Sequence, residues 1–194
     1  LLRLHDDNRG KDTDAMLAGR LATVTRFIGA APDALRKAAF SNAYAEYAQL
    51  YFRKDEWEKS AMCVNRLFEL RPQPAQLLEK IAAVAAHHAL ESAGPDPFAP
   101  VAAMFRHVRP SPGARRLHSI IRGRIYLVLA FRSQKRADRG RVRRHVLSAF
   151  RADAALLGNR GLLRLAAESL AGAALTQRLR NLGSRSIALD PGQL

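Results

Sequence analysis

Apolar residues recur along most of the chain at intervals of three and four positions, which is the spacing of an amphipathic helix. The first such stripe follows Asp12, Thr13 and Asp14, any of which could cap a helix. Its apolar positions are Met16, Leu17, Leu21, Val24, Phe27 and Ile28. Alanine and leucine are abundant and β-branched residues are sparse, so pattern and composition together predict an all-α fold.

Further helices are predicted by the same spacing. They cover residues 33–52, 75–91, 98–108, 120–131 and 162–170. The proline-rich residues 109–113 are interpreted as a break, and the chain is expected to fray from Ile187 onward.

Residues 41–72 carry a more specific pattern, that of a helical hairpin. With Ser41 as the first position, the packing positions of the hairpin are Tyr44, Tyr47, Ala48, Tyr51, Ser60, Val64, Leu67 and Pro72. Small residues at 48 and 60 would let two antiparallel helices approach closely. The segment resembles a tetratricopeptide hairpin, and residues 120–153 resemble one more loosely. We therefore expect stacked antiparallel hairpins.

The first residues are different, because Leu1–Leu4 alternate like a strand and nothing after them reads as strand. We expect the chain to be a fragment, in which residues 1–11 end another domain and residues 12–186 form a helical one. The segment Arg3-x-His5-x-x-Asn8 resembles the closing motif of the nucleotide-sugar-binding domain of family 2 glycosyltransferases. The order Asn159-Arg160-Gly161, leucine-rich helix, glycine is similar to the helical tails of that family.

The resemblance implies a function for the parent protein. It would transfer a sugar from a nucleotide-sugar donor to a glycan or lipid-linked acceptor, as in the synthesis of cell-envelope polysaccharide. His5 would contact a divalent metal, Mg or Mn, and Arg3, His5 and Asn8 would contact the donor diphosphate. The helical part would serve acceptor, membrane or subunit contacts, and this chain alone would lack the catalytic core, bind no metal and be inactive. The alternative interpretation of His5 is a polar residue at a strand–helix junction.

Positive charge is concentrated in the second half of the chain. Residues 1–100 carry 13 basic and 13 acidic side chains, whereas residues 101–194 carry 19 and 4. The spacing of Arg136, Arg139 and Arg143 predicts one arginine-rich helical face. The candidate contacts for an anionic partner are Arg136, Arg139, Arg141, Arg143 and Arg144.

An anionic membrane surface or an acidic glycan fits these arginines better than nucleic acid does. Few aromatic residues lie among them for base stacking, and no helix-turn-helix signature occurs. Two alternatives remain, an ordinary solvated face and the codon bias of a GC-rich genome, because arginine outnumbers lysine 26 to 6. The expected location is cytoplasmic with peripheral contact at the inner membrane face, since the apolar run Ile125–Phe131 is too short to span a bilayer.

Other chemistry is sparse in the sequence, which contains no glycine-rich phosphate loop and no Cys-x-x-Cys pair. His87 with Glu91 is interpreted as an exposed ion pair rather than a metal site. His107, His118 and His145 are expected at the surface, and Cys63 in the core. One alternative function is a free-standing, non-enzymatic tetratricopeptide-like adaptor that binds a protein or an anionic partner, with a groove formed by Tyr44, Tyr47 and neighbouring residues. Another is a basic helical module that binds nucleic acid.

Overall fold

The structure is all-α, as the sequence predicts. The computed structural model describes residues 12–72, 74–92 and 94–169, and every regular element in these ranges is helical. The predicted strand remnant at residues 1–11 and the frayed tail at 187–194 lie outside the described residues. The first helices are α1 (Thr13–Ile28), α2 (Asp33–Arg53), α3 (Trp57–Leu70), α4 (Ala75–Ser92) and α5 (Ala99–Phe105). They are followed by α6 (Pro112–Lys135), α7 (Arg139–Ala152), a 3-10 helix (Ala154–Gly158) and helical residues 160–169.

The chain divides into two compact units between Ile121 and Arg122, within α6. The sequence suggested a single helical region at residues 12–186 and did not indicate this division. The first unit contains α1 to α5 and the start of α6, and the second contains the rest of α6, α7 and the helical residues 160–169.

The hairpin predicted at residues 41–72 is confirmed as α2 and α3. The Ser60 hydroxyl, fully buried, donates a hydrogen bond of 2.8 Å to the backbone carbonyl of Ala48. Small side chains at both positions thus bring the two helices close enough for a direct contact between side chain and backbone. The larger residues that fill this part of the core are also buried: Tyr47, Tyr51, Val64 and Leu67.

The turn of this hairpin depends on Asp55. Its φ of 61° places it in the left-handed region, where aspartate is among the better tolerated non-glycine residues. The Asp55 carboxylate also lies 3.0 Å from Nε2 of His88 on α4. That imidazole packs edge-on against Phe52, so α4 is joined to the turn by both a polar and an aromatic contact.

Helix α1 starts where the sequence predicts, but only part of its apolar stripe is buried. The Asp12 carboxylate accepts a hydrogen bond of 2.9 Å from the Asp14 amide and caps the helix. Leu17 and Val24 are buried, whereas Met16 is 46% and Phe27 76% exposed. The apolar stripe of the sequence is therefore wider than the buried face of the helix.

Helix α6 is longer at both ends than the predicted helix at 120–131. It begins at Pro112, inside the predicted break, because proline is suited to a first helical position, where its missing N–H has no partner to lose. The Ser111 hydroxyl accepts a hydrogen bond of 3.0 Å from the Ala114 amide. At Gly113 a Cβ would lie 2.6 Å from the Phe68 ring, so glycine permits the close approach of α6 to α3.

The second unit has its own core. It is formed by one face of α7, the second part of α6 and the helical residues 160–169. Its buried members are Ala130, Val142, Val146, Ala149, Leu162 and Leu165. Asn159 caps the last of these helices, since its side-chain oxygen accepts from the Leu162 amide at 3.0 Å. The looser hairpin predicted at 120–153 thus corresponds to α6 and α7.

Candidate functional site

The predicted anion-binding arginines occupy α7 and the turn before it. Helix α7 carries five arginines and no acidic residue. All of the predicted members are exposed, so their guanidinium groups are available to a partner: Arg136, Arg139, Arg141, Arg143 and Arg144. We call these five residues the α7 arginine surface.

Arg136 departs from the predicted arrangement. It was expected to share a helical face with Arg139 and Arg143, but α6 ends at Lys135 and α7 begins at Arg139. Ala137, between them, has a φ of 56°, which ends the first helix. Arg136 is therefore presented by a turn, and only Arg139 and Arg143 have the one-turn spacing of a shared helical face.

Asp138 caps the start of α7, and its carboxylate offsets part of the positive charge of that helix. Its carboxylate accepts a hydrogen bond of 2.9 Å from the Arg141 amide, which caps the helix. The same carboxylate lies 3.0 Å from Nε of Arg141. Within the described ranges, no ion pair involves Arg143 or Arg144. Of the five arginines, Arg141 is therefore the one whose charge is paired with a carboxylate in the described part of the chain.

The outward face of α7 contains two residues that sequence reasoning did not assign to the site. The Leu147 side chain is 41% exposed. Arg151, also exposed, follows one turn later. Val142, Val146 and Ala149 fill the opposite face and are buried, which leaves Leu147 pointing outward. Plotting the sequence on a helical wheel centred on residue 146 would have found both.

His145 lies at the edge of the surface and is half-buried, whereas the sequence suggested an ordinary surface position. Its ring centroid is 6.2 Å from that of Tyr126 on α6. Burial lowers the pKa of the imidazole, and the charges of Arg144 and Arg141 lower it further, opposed by Asp138. The imidazole is accordingly less readily protonated than a free histidine, and the positive charge of the surface comes from arginine.

His87 and His118 each contact another side chain of the protein. His87 lies 3.2 Å from the Glu91 carboxylate on an exposed face of α4, which is the ion pair expected from their spacing. His118 is half-buried, and the centroid of its ring lies 4.5 Å from the centroid of the Phe105 ring. Among the described residues, no group of three or more His, Cys, Asp or Glu side chains is placed to hold a metal ion.

The candidate metal and diphosphate contacts Arg3, His5 and Asn8 lie outside the described residues. Their role remains a prediction from the resemblance.

A second polar cluster joins α1 to the first hairpin. The Asp14 carboxylate accepts a hydrogen bond of 2.6 Å from the Tyr51 hydroxyl and lies 2.6 Å from Nζ of Lys59. The Lys59 contact, and then the Tyr51 contact, lower the pKa of Asp14. Burial and the Asp14 carboxylate raise the pKa of Tyr51. Every polar group here has a partner within the protein, which indicates a role in holding α1 in place.

The groove that the adaptor alternative requires is not formed as expected. Tyr47 is only 5% exposed and Tyr44 is half-buried, so the pair does not present an open aromatic surface. Cys63 is fully buried, as expected, and burial raises the pKa of its thiol to about 12.

An apolar cleft of about 530 Å³ lies in the first unit, between the start of α4 and the start of α6. Neither a motif nor a spacing predicted it, because its two sides are far apart in the sequence. It is lined by Ala75, Gln76, Leu78, Glu79, Pro112, Gly113, Arg116 and Ile120.

Comparison with protein-family models, with curated proteins and with solved structures finds no match to this chain. None of the described helices combines the length and the apolar character that crossing a bilayer requires. Any function must therefore be argued from the chain's own side chains, among which the α7 arginine surface has the clearest chemistry.

Proposed function

We propose that the helical part of this chain is a binding module whose partner is anionic and contacts the α7 arginine surface. The observation that carries the proposal is the placement of five exposed arginines on α7 and its preceding turn, with Asp138 as the only acidic residue among them. Guanidinium groups suit this role because each presents several donors in a planar fork that matches phosphate and carboxylate oxygens.

The charge balance of the second unit supports the proposal. Residues 122–169 carry 12 basic and 3 acidic side chains, whereas residues 12–121 carry 14 and 11. Of the three acids, Asp153 is buried and the other two pair with arginines, Asp138 with Arg141 and Glu168 with Arg164. The unit therefore has an excess of positive charge that its own carboxylates do not balance, and such a field attracts polyanions.

Charge reversal tests this proposal. Substitution of Arg139, Arg141, Arg143 and Arg144 by glutamate should weaken binding to inorganic polyphosphate and to anionic vesicles by more than about a hundredfold, since each basic residue contributes about 1 kcal/mol at an anionic surface. Affinity is measured by retention on immobilised polyphosphate and by vesicle co-sedimentation. Circular dichroism verifies that the variant remains folded.

The matched control reverses four exposed arginines of the first unit: Arg20, Arg53, Arg106 and Arg115. Both variants change the net charge equally, so the position of the charge is the only difference between them. Retention that falls equally in both would attribute binding to net charge alone and contradict the proposal.

For the parent protein we propose a family 2 glycosyltransferase, in which this helical module contacts the acceptor, the membrane or another subunit. The support is the order of Arg3-x-His5-x-x-Asn8, helical hairpins and the Asn159-Arg160-Gly161 turn. Asn159 has a physical reason to stand there, because it caps the helix that follows. The donor would be a nucleotide sugar, with a divalent metal on its diphosphate near His5.

This second proposal is tested by reading the coding sequence upstream of Leu1. Alternating strands and helices with a paired-aspartate metal motif are expected there. Further helical repeats, or a start codon immediately before Leu1, would contradict the glycosyltransferase proposal and favour the adaptor alternative.

A further inference from the structure

The outward face of α7 places one apolar side chain among arginines. Leu147 is 41% exposed, so part of this apolar side chain faces solvent. Arg143 and Arg144 precede it by four and three positions, and Arg151 follows it by four. These are the spacings at which residues on a helix are neighbours, so the three arginines lie one turn from the leucine along the helix.

These arginines are available to an external partner. All three are exposed, and within the part of the chain that the structure describes none of them forms an ion pair. The residues that anchor the helix, Val142 and Val146, are buried on its opposite side. The leucine and its arginines can therefore meet a flat partner without any change in the fold of the unit.

We infer that this face binds an anionic membrane surface, with Leu147 entering the boundary between headgroups and acyl chains and with Arg143, Arg144 and Arg151 on lipid phosphates. A bilayer offers both phosphate groups for the arginines and a hydrocarbon phase for the leucine. A soluble polyanion offers only the first, so the exposed leucine distinguishes the two partners. The inference rests on the proposed anionic contact and specifies the chemistry of its partner.

The expected contributions are separable by experiment. Each arginine at an anionic lipid surface strengthens binding about fivefold, and partial burial of one leucine strengthens it by a similar factor. The arginine contribution weakens as salt concentration rises, whereas the leucine contribution persists.

The test is co-sedimentation of the whole chain with phosphatidylcholine vesicles that do or do not contain phosphatidylglycerol. Leu147→Ser should weaken binding to the anionic vesicles about fivefold, because serine removes the inserted side chain and leaves every charge in place. Its matched control is Leu163→Ser, which makes the same change at a leucine of similar exposure, 43%, in the same unit. The control variant should bind like the unmodified chain.

Retention on inorganic polyphosphate separates this inference from the proposed function. Leu147→Ser should be retained as strongly as the unmodified chain, since polyphosphate has no hydrocarbon phase. If retention depends on the arginines but vesicle binding is absent or is unchanged in Leu147→Ser, the partner is a soluble polyanion such as a nucleic acid or an acidic glycan, and the membrane inference is overturned. If retention on polyphosphate is independent of the arginines, the proposed function itself fails.

Discussion

Ala48 and Ser60 show how far single residues could be predicted from the sequence. Both were expected at the closest approach of two helices, and the hydrogen bond from Ser60 to the Ala48 carbonyl confirms that contact. Met16 and Phe27 belong to the apolar stripe of the first predicted helix, but both are exposed. Three-and-four spacing identifies the apolar positions of a helix. It does not show how many of them are buried, because that depends on how much of the helix the neighbouring helices cover.

Asp138 combines two roles at one position, and two substitutions separate them. Asp138→Asn keeps a side-chain oxygen that can cap α7 and removes the negative charge beside Arg141. We expect the thermal unfolding temperature to stay the same and retention on polyphosphate to strengthen about threefold, because a screened surface charge contributes a fraction of 1 kcal/mol.

Asp138→Ala is the companion variant, since it removes the charge and the cap together. Retention on polyphosphate should strengthen as it does in the asparagine variant. The free energy of unfolding should fall by about 1 kcal/mol, because the cap is lost. Weaker retention in the asparagine variant than in the unmodified chain would show that Asp138 does not limit the anion affinity of the α7 arginine surface.

At the scale of helices and turns, the bounds of α2 and α4 were predicted to within one residue by the apolar spacing. Asp12 was one of three residues expected to cap the first helix, and it does so, whereas the Asn159 cap was not predicted. The start of α6 was not predicted, because proline at 112 and glycine at 113 are typical of a break between helices. Proline is equally typical of the first position of a helix, and glycine also occurs where a helix packs closely against another one. Contact with Phe68 on another helix decides between the two, and that contact cannot be read from local sequence.

The arrangement of the arginines likewise depends on structure that local sequence does not show. Charge clustering indicated a cationic surface, but the turn at Ala137 separates Arg136 from α7 and changes which arginines share a face. His145 is half-buried against Tyr126 for a similar reason, since its environment comes from α6 as well as from its own helix.

At the scale of the whole chain, composition indicated the separation of charge before the structure divided the chain into two units. The nearly balanced charges of residues 12–121 belong to a unit in which acidic and basic side chains pair, as Asp14 does with Lys59. The excess positive charge of residues 122–169 belongs to a unit whose arginines outnumber its acids. The division at Ile121 was not predicted, because it falls inside a continuous helix where no loop marks it.

If an anionic partner binds at the α7 arginine surface, its position can be mapped on the unmodified chain. Backbone amide signals of the isotope-labelled chain are followed by nuclear magnetic resonance as inorganic polyphosphate is added. The largest chemical-shift changes are expected at Arg136–Asp138 and along Arg139–Ala152, and only small changes are expected in the first unit. Largest changes within residues 12–121, or equal changes at basic residues throughout the chain, would contradict the proposed binding at this surface.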